Sequence, residues 1–229
     1  MPNLSASFLL GYHGCDADVA EQLLKGEPFQ LSQNEYDWLG EGVYFWEANP
    51  LRGLEFAREG TKRKSPNLSI KTPAVIGAVI DLGNCLDLTS SAGLDSLKDA
   101  FDSLKEMTTS AGSALPVNHP ERLMHNLDCA VINTLHGLRK KKALAEFDSV
   151  KGIFIEGDPI YPGSEFHAKN HIQVAVRNPE CIKGVFRVPK AHLDLSTKYT
   201  YTAVNDKGHR VGSYDGRDWF DLQTGERVV

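Results

Sequence analysis

Hydrophobic and polar positions along the chain follow two periods, one suited to strands and one to helices. Phe8-Leu9-Leu10-Gly11-Tyr12 is a short apolar run with the length of a buried strand, and Val43-Tyr44-Phe45-Trp46 has the aromatic and β-branched content of another. Residues 74–82 are apolar almost without a break, which predicts a strand buried on both faces. Gly152-Ile153-Phe154-Ile155, Ile172-Gln173-Val174-Ala175-Val176 and Val185-Phe186-Arg187-Val188 predict three more strands.

Helical spacing fills the intervals. Asp16 can cap a helix carrying Val19, Ala20, Leu23 and Leu24, and Gly26 sits where it should stop. Pro50 opens a second helix with Leu51, Leu54 and Ala57 on one face. Leu94, Leu97, Phe101 and Leu104 mark a third. The stripe Leu123, Leu127, Ala130, Val131, Thr134, Leu135 and Leu138 marks a fourth. Asn118 with Glu121 reads as its capping box, and Arg139-Lys140-Lys141-Lys142 suits its C-terminus. Residues 31–42 and 61–72 read as loops.

The pattern changes near residue 190. Residues 198–204, 210–214 and 219–222 are strand candidates separated by Asn205-Asp206-Lys207-Gly208 and Asp215-Gly216, both with turn chemistry. A β-meander of roughly 30 residues is too small for its own core. The chain therefore reads as α+β: a main domain over residues 1–189, with a β-rich appendage over 190–229 packed on it.

Composition narrows the class. The 229 residues carry 25 Lys plus Arg against 30 Asp plus Glu, a net charge of −5, and 41% are hydrophobic. These values fit a folded globular protein and exclude a generally basic nucleic-acid binder, though not a local basic patch. The charge is uneven. Residues 1–60 carry 3 basic and 10 acidic side chains, while residues 61–189 carry 16 and 14. No apolar run reaches the ~18 residues of a membrane span. The start Met1-Pro2-Asn3-Leu4-Ser5 lacks signal-peptide character. Cys15, Cys85, Cys129 and Cys181 are far apart with no CxxC pair, which argues for reduced thiols in a cytoplasmic protein and against a metal site.

Three local patterns could carry chemistry. Tyr12-His13-Gly14 ends the first strand. Gly40-Glu41-Gly42-Val43-Tyr44-Phe45 places two glycines before an aromatic strand, where backbone can approach a planar ligand. His171-Ile172-Gln173-Val174-Ala175-Val176 is a strand with one polar residue among apolar ones, ending in Asn178-Pro179. Trp38 and Trp46 read as packing residues.

In this order the three patterns resemble the ADP-ribosyltransferase superfamily, in its diphtheria-toxin and poly(ADP-ribose)-polymerase branch. That branch has a His-Gly strand, a Gly-x-Gly-Ile-Tyr-Phe strand before a helix, and a late strand bearing a catalytic Glu. The resemblance covers about residues 6–189 and implies a split β-sheet core with flanking helices. It implies NAD as substrate, with His13 on the nicotinamide ribose, the Gly14 and Gly42 backbone close to the ligand, and Tyr44 and Phe56 on either side of the nicotinamide ring. Arg52 or Arg58 would meet the pyrophosphate.

Gln173 stands where the family has Glu, and it is the main departure. His13, Tyr44 and Gln173 form the expected catalytic set. The missing carboxylate leaves three readings open: a base from Glu156, Asp158 or Glu165; Glu165 as the true counterpart; or a site that binds NAD or ADP-ribose without catalysing. The reading is a mono-ADP-ribosyltransferase acting on a macromolecule, RNA or DNA ahead of protein, in a bacterial toxin or phage-defence setting with a possible antitoxin. The alternatives are a pseudo-transferase serving as a sensor or interaction module, and an NAD glycohydrolase. Lys62-Arg63-Lys64 and Arg139–Lys142 are the candidate polyanion contacts. His167 and His171 are candidate target contacts.

Overall fold

In a computed structural model the elements run, in chain order, β1 (Phe8–Asp16), α1 (Ala17–Leu24), β2 (Val43–Glu47), α2 (Pro50–Gly60), β3 (Pro73–Asp81), β4 (Cys85–Asp87), α3 (Ser91–Ser110), β5 (Asn118–His119), β6 (Met124–His125), α4 (Asn126–Lys141), β7 (Ser149–Phe154), β8 (His171–Val176) and β9 (Ile182–Arg187). The structure describes residues 8–62, 70–119, 124–193, 201–204, 210–214, 219–221, 224 and 227. A mixed seven-stranded sheet in the order β4-β7-β8-β2-β1-β3-β9 organises the first unit, which ends at Arg187. The α+β class expected from the sequence holds.

The sheet has a seam. β1 pairs with β3 along its whole length, from Phe8↔Asp81 to Asp16↔Pro73. On its other edge it meets β2 only at Gly11↔Glu47 and Tyr12↔Trp46. Past that point β2 continues against β8, from Trp46↔Gln173 to Val43↔Val176. The backbone of residues 13–16 and 43–45 is therefore unpaired along the β1–β2 border.

Both faces of the sheet are covered. On one, Leu86, Val150 and Ala175 pack with Ala100 of α3 and Val131, Ile132 and Leu135 of α4. On the other, Val43, Phe45, Ala78, Ile80, Val174 and Val176 form a second cluster. Ala20 and Leu23 of α1 join Cys15 and Ile76 in a third. Asp16 caps α1 as expected, its Oδ1 accepting from Asp18 N. Its Oδ2 also accepts from Lys71 N and Thr72 N, at 2.7 and 3.0 Å. Backbone donors from Thr72, Asp18 and Lys71 hold this carboxyl below the usual range.

The start of α4 differs from the expectation. The helix begins at Asn126, and Asn118 does cap it, but from across the β5–β6 pair. Its Oδ1 accepts from Leu127 N and Asp128 N, at 2.9 and 3.2 Å. Cap and helix are thus brought together by a two-residue strand pairing, Asn118↔His125 and His119↔Met124, rather than by adjacent residues. Glu121 and Leu123 lie outside the described residues.

From Val188 onward the chain forms a second unit. Its strands β10 (Tyr201–Val204), β11 (Arg210–Tyr214) and β12 (Trp219–Asp221) pair antiparallel in sequence order, the meander expected. Residues 198–200, 205–208, 215–216 and 222 of the predicted pattern lie outside the described residues. Among the described residues no helix is long and apolar enough to cross a membrane.

Candidate functional site

A cleft of about 680 Å³ opens at the seam. His13, Gly14, Gly42, Tyr44, Phe56 and Gln173 all line it, drawn from β1, the turn before β2, β2, α2 and β8. The six site residues expected from the sequence therefore share one cavity.

His13 spans the unpaired border. Its Nδ1 lies 2.9 Å from the Tyr44 carbonyl oxygen. A carbonyl only accepts, so Nδ1 carries the proton and Nε2 of the neutral ring is left as an acceptor. Burial pushes the imidazole pKa down, which keeps it neutral at pH 7. Phe29 and Phe45 pack against the ring, each with its centroid 5.6 Å away.

Tyr44 is committed through its hydroxyl, which donates to Gly40 O at 2.7 Å and accepts from Leu39 N at 3.0 Å. It latches the turn entering β2, where Gly40 adopts a φ of +74°. Burial, with the Asp37 carboxylate nearby, pushes this phenol well above its ordinary pKa. What Tyr44 offers the cleft is ring surface.

Gly14 is required by α2 itself. A Cβ there would sit 2.0 Å from the Gly53 carbonyl oxygen, so helix and strand meet backbone to backbone. Phe56, on the same helix, packs on Trp46 with centroids 4.8 Å apart.

Gln173 is buried on β8 directly opposite Trp46. Its Oε1 accepts from Trp38 Nε1 at 2.7 Å. Indole nitrogen only donates, so the amide orientation is fixed. The Nε2–H₂ end makes no hydrogen bond among the described residues and is the end available to the cleft. At this position the cleft is offered a donor and no carboxylate.

Of the three candidate carboxylates only Glu156 lines the cleft; Asp158 and Glu165 are exposed on the β7–β8 loop. Arg52 Nη2 donates to Glu156 Oε2 at 2.7 Å. Lys169 Nζ lies 2.7 Å from Glu59 Oε1 and 3.7 Å from Glu156 Oε1, and Glu59 Oε2 lies 3.6 Å from Arg52. Two cations and two carboxylates thus tie α2 to the β7–β8 loop across the cleft. The Arg52 side chain is only 5% exposed, and its Nε and Nη1 have no partner. Two guanidinium nitrogens, with three N–H groups between them, are left over for a ligand oxygen.

Other expectations change. His171 shares a strand face with Gln173, as the two-residue spacing requires, but it is buried between Phe154 and Trp46. It is an interior residue rather than a target contact. His167 bonds Gly157 O through Nδ1 and does not line the cleft. Arg139 covers Phe147 and donates to Ala145 O. The Arg139–Lys142 cluster lies at the far end of α4 from His125, about 24 Å for 16 residues. Lys62 is exposed, while Arg63 and Lys64 lie outside the described residues. Arg58 is exposed and does not line the cleft.

The cleft also contains residues the sequence did not place in a site. Trp38 and Trp46 line it rather than only packing the fold. His125 and Phe154 line it beside Trp38, and neither belongs to a motif. The one usable signal was Trp38, two residues before Gly40 in the loop that Tyr44 latches.

Compared with known proteins, the chain is 27% identical over 193 aligned residues to an uncharacterized protein of the archaeon Methanocaldococcus jannaschii. The match covers 75% of this chain and 83% of that protein. No family profile matches the chain, and no solved structure does.

Proposed function

We propose that this chain is an NAD-dependent mono-ADP-ribosyltransferase, with the split sheet of that superfamily, that modifies a macromolecule. The observation that carries the reading is the convergence of His13, Gly14, Gly42, Tyr44, Phe56 and Gln173 on one cleft at a seam in the sheet. Nucleic acid is favoured as acceptor over protein. A cytoplasmic bacterial toxin or phage-defence setting, with an antitoxin as partner, rests on the sequence resemblance.

The chain's groups divide the work. Neutral His13 accepts a hydrogen bond at Nε2 from a ribose hydroxyl. Tyr44 and Phe56 present ring surface to the nicotinamide. Arg52 donates its spare N–H groups to a ligand oxygen. Gln173 donates from Nε2 to a ribose hydroxyl oxygen and cannot take a proton. In the transfer the bond between the ribose anomeric carbon and the pyridinium nitrogen breaks. Its electron pair returns to the ring, giving neutral nicotinamide. An acceptor lone pair forms the new bond to the anomeric carbon. Glu156 is the carboxylate in reach to balance the developing positive charge and receive the acceptor's proton.

Incubation with NAD labelled in the adenylate half, in the presence of cell extract, tests this. Label should appear on nucleic acid and vanish with His13→Ala. Glu156→Gln should retain NAD binding and lose transfer by about 100-fold or more. Label confined to free ADP-ribose would indicate a glycohydrolase. The second reading, a binding module without transfer, is favoured by the donor end that Gln173 offers the cleft. NAD binding by calorimetry with no label on any macromolecule would establish it.

A further inference from the structure

One wall of the cleft is not used by the NAD reading, on which the following rests. Trp38, His125 and Phe154 line it as a group. Phe154 lies 4.8 Å from the Trp38 ring and 5.3 Å from the His125 ring, at interplanar angles of 61° and 73°. Trp38 and His125 are 6.4 Å apart. The three rings come from separate elements: the loop before β2, the end of β6 and the end of β7.

Two polar groups edge this wall. The Gln173 amide is turned by Trp38 so that its Nε2–H₂ donors are unbonded. His125 Nε2 is buried without a partner, while Nδ1 faces the Asp128 carboxylate at 3.6 Å. The wall therefore offers aromatic ring surface with the Gln173 amide donors and an unpartnered imidazole nitrogen at its margin. That combination suits a heteroaromatic ring recognised by stacking and by its polar edge.

The position fixes which ring. Trp38 is hydrogen-bonded to Gln173, so a ring stacked on Trp38 lies beside the group placed at the reacting ribose. NAD's own adenine is separated from that ribose by a pyrophosphate and a second ribose. We infer that the Trp38–His125–Phe154 wall is the acceptor subsite and that it takes a nucleobase. The base can come from a free nucleoside or from a single strand. Among the Lys and Arg side chains only Arg52 lines the cleft, facing Asp16, Asp37 and Glu156, which leaves little cationic surface for a crowded phosphate backbone inside it. Only the base enters, and the sugar–phosphate stays outside.

Binding by the full-length protein tests this without turnover. Fluorescence anisotropy compares four homopolymeric DNA octamers with an octamer of abasic sites at one salt concentration. Calorimetry compares the four nucleosides with ribose 5-phosphate. Both are repeated with a carbocyclic NAD that cannot be cleaved. At least one base-bearing octamer should bind about tenfold tighter than the abasic one, within the range for one stacked base. Carbocyclic NAD should leave that preference intact. Phe154→Leu and Trp38→Leu should each reduce it severalfold, and Trp38→Phe should restore most of it. Phe154→Leu does not touch the Gln173 bond, so it decides the matter if Trp38→Leu unfolds. Nucleoside binding as tight as octamer binding assigns the subsite to free nucleosides; tighter octamer binding assigns it to strands.

Equal binding of base-bearing and abasic octamers with no nucleoside binding would overturn the inference. So would a preference unchanged in Phe154→Leu, a preference abolished by carbocyclic NAD, or labelled transfer to protein alone. Carbocyclic NAD binding reports separately on the transferase reading. A base preference without it keeps the subsite and removes the transferase; the converse removes the subsite.

Discussion

Gly14→Ala offers the sharpest test of how the cleft is built. The new Cβ would lie 2.0 Å from Gly53 O and 3.0 Å from the Gly53 carbonyl carbon. Both neighbours are main chain, so no rotamer change relieves the clash. A close carbon–oxygen contact needs about 3.3 Å, so α2 must move away from β1 by about 1.3 Å. Overpacking of this kind costs 1–3 kcal/mol, and the absence of a yielding side chain argues for about 3 kcal/mol. For a chain of this size that lowers the thermal midpoint by about 6–12 °C. Gly53→Ala is the matched control. Its Cβ would meet Val75 Cγ2 at 3.1 Å, a side-chain atom that can give, and the loss should be under about 1 kcal/mol. Circular dichroism melting of the two variants against the parent reads the difference. A midpoint for Gly14→Ala within a degree of the parent, or below it by less than that of Gly53→Ala, would refute the backbone-to-backbone argument. Ligand contact would then be the remaining reason for glycine at this position.

Three further outcomes are expected. Gly137→Ala, inside α4 where an added Cβ meets nothing within 4 Å, should stabilise the fold by about 1 kcal/mol, read as a higher urea midpoint at unchanged slope. Asn118→Ala removes the acceptor for Leu127 N and Asp128 N and should cost about 1 kcal/mol, with faster amide exchange confined to the first turn of α4. His136 is buried with neither ring nitrogen partnered, and burial with Arg177 and Arg139 nearby lowers its pKa to about 3. Between pH 6.5 and about 3 the unfolded chain binds the proton that the folded chain refuses. This group's contribution is therefore complete above 6.5 and drains away as pH falls. His136→Leu should flatten the loss of stability between pH 7 and 4.5; an unchanged pH slope contradicts the assignment.

How far the sequence carried is visible in particular residues. The 74–82 run, the Pro50 start and the aromatic strand at Val43–Trp46 gave β3, α2 and β2, because local pattern and tertiary placement agree there. The three-residue β4 has no pattern of its own; it is held by parallel pairing to β7. The cap of α4 was read on the right residue for the wrong reason, since Asn118 reaches the helix through a strand pairing that spacing does not encode. Gly14 was read as admitting a ligand, and its close neighbour is α2. The six residues that share the cleft were named through a resemblance carried by three short motifs, Phe56 by the resemblance alone. The Trp38 bond to Gln173, the choice of Glu156 over Asp158 and Glu165, and the placing of His125 and Phe154 were not legible. They depend on which strands adjoin, and single residues carry no sign of that.

The seam between β1 and β2 has a mechanical meaning. Seven strands form one sheet, yet the halves on either side of this border are joined by main chain over a short stretch, at Gly11↔Glu47, Tyr12↔Trp46 and Ala48 N to Leu10 O, with His13 to Tyr44 O as a side-chain stitch. A torque prising the halves apart meets little main-chain resistance there, while the β1–β3 ladder distributes the same load over nine positions. The charged quartet of Arg52, Glu156, Lys169 and Glu59 crosses the opening like a hasp, its Arg52–Glu156 link buried and sheltered from salt and its Lys169–Glu59 link nearer the solvent. The border where the cleft opens is thus held mainly by side chains, and the β1–β3 border beside it by main chain.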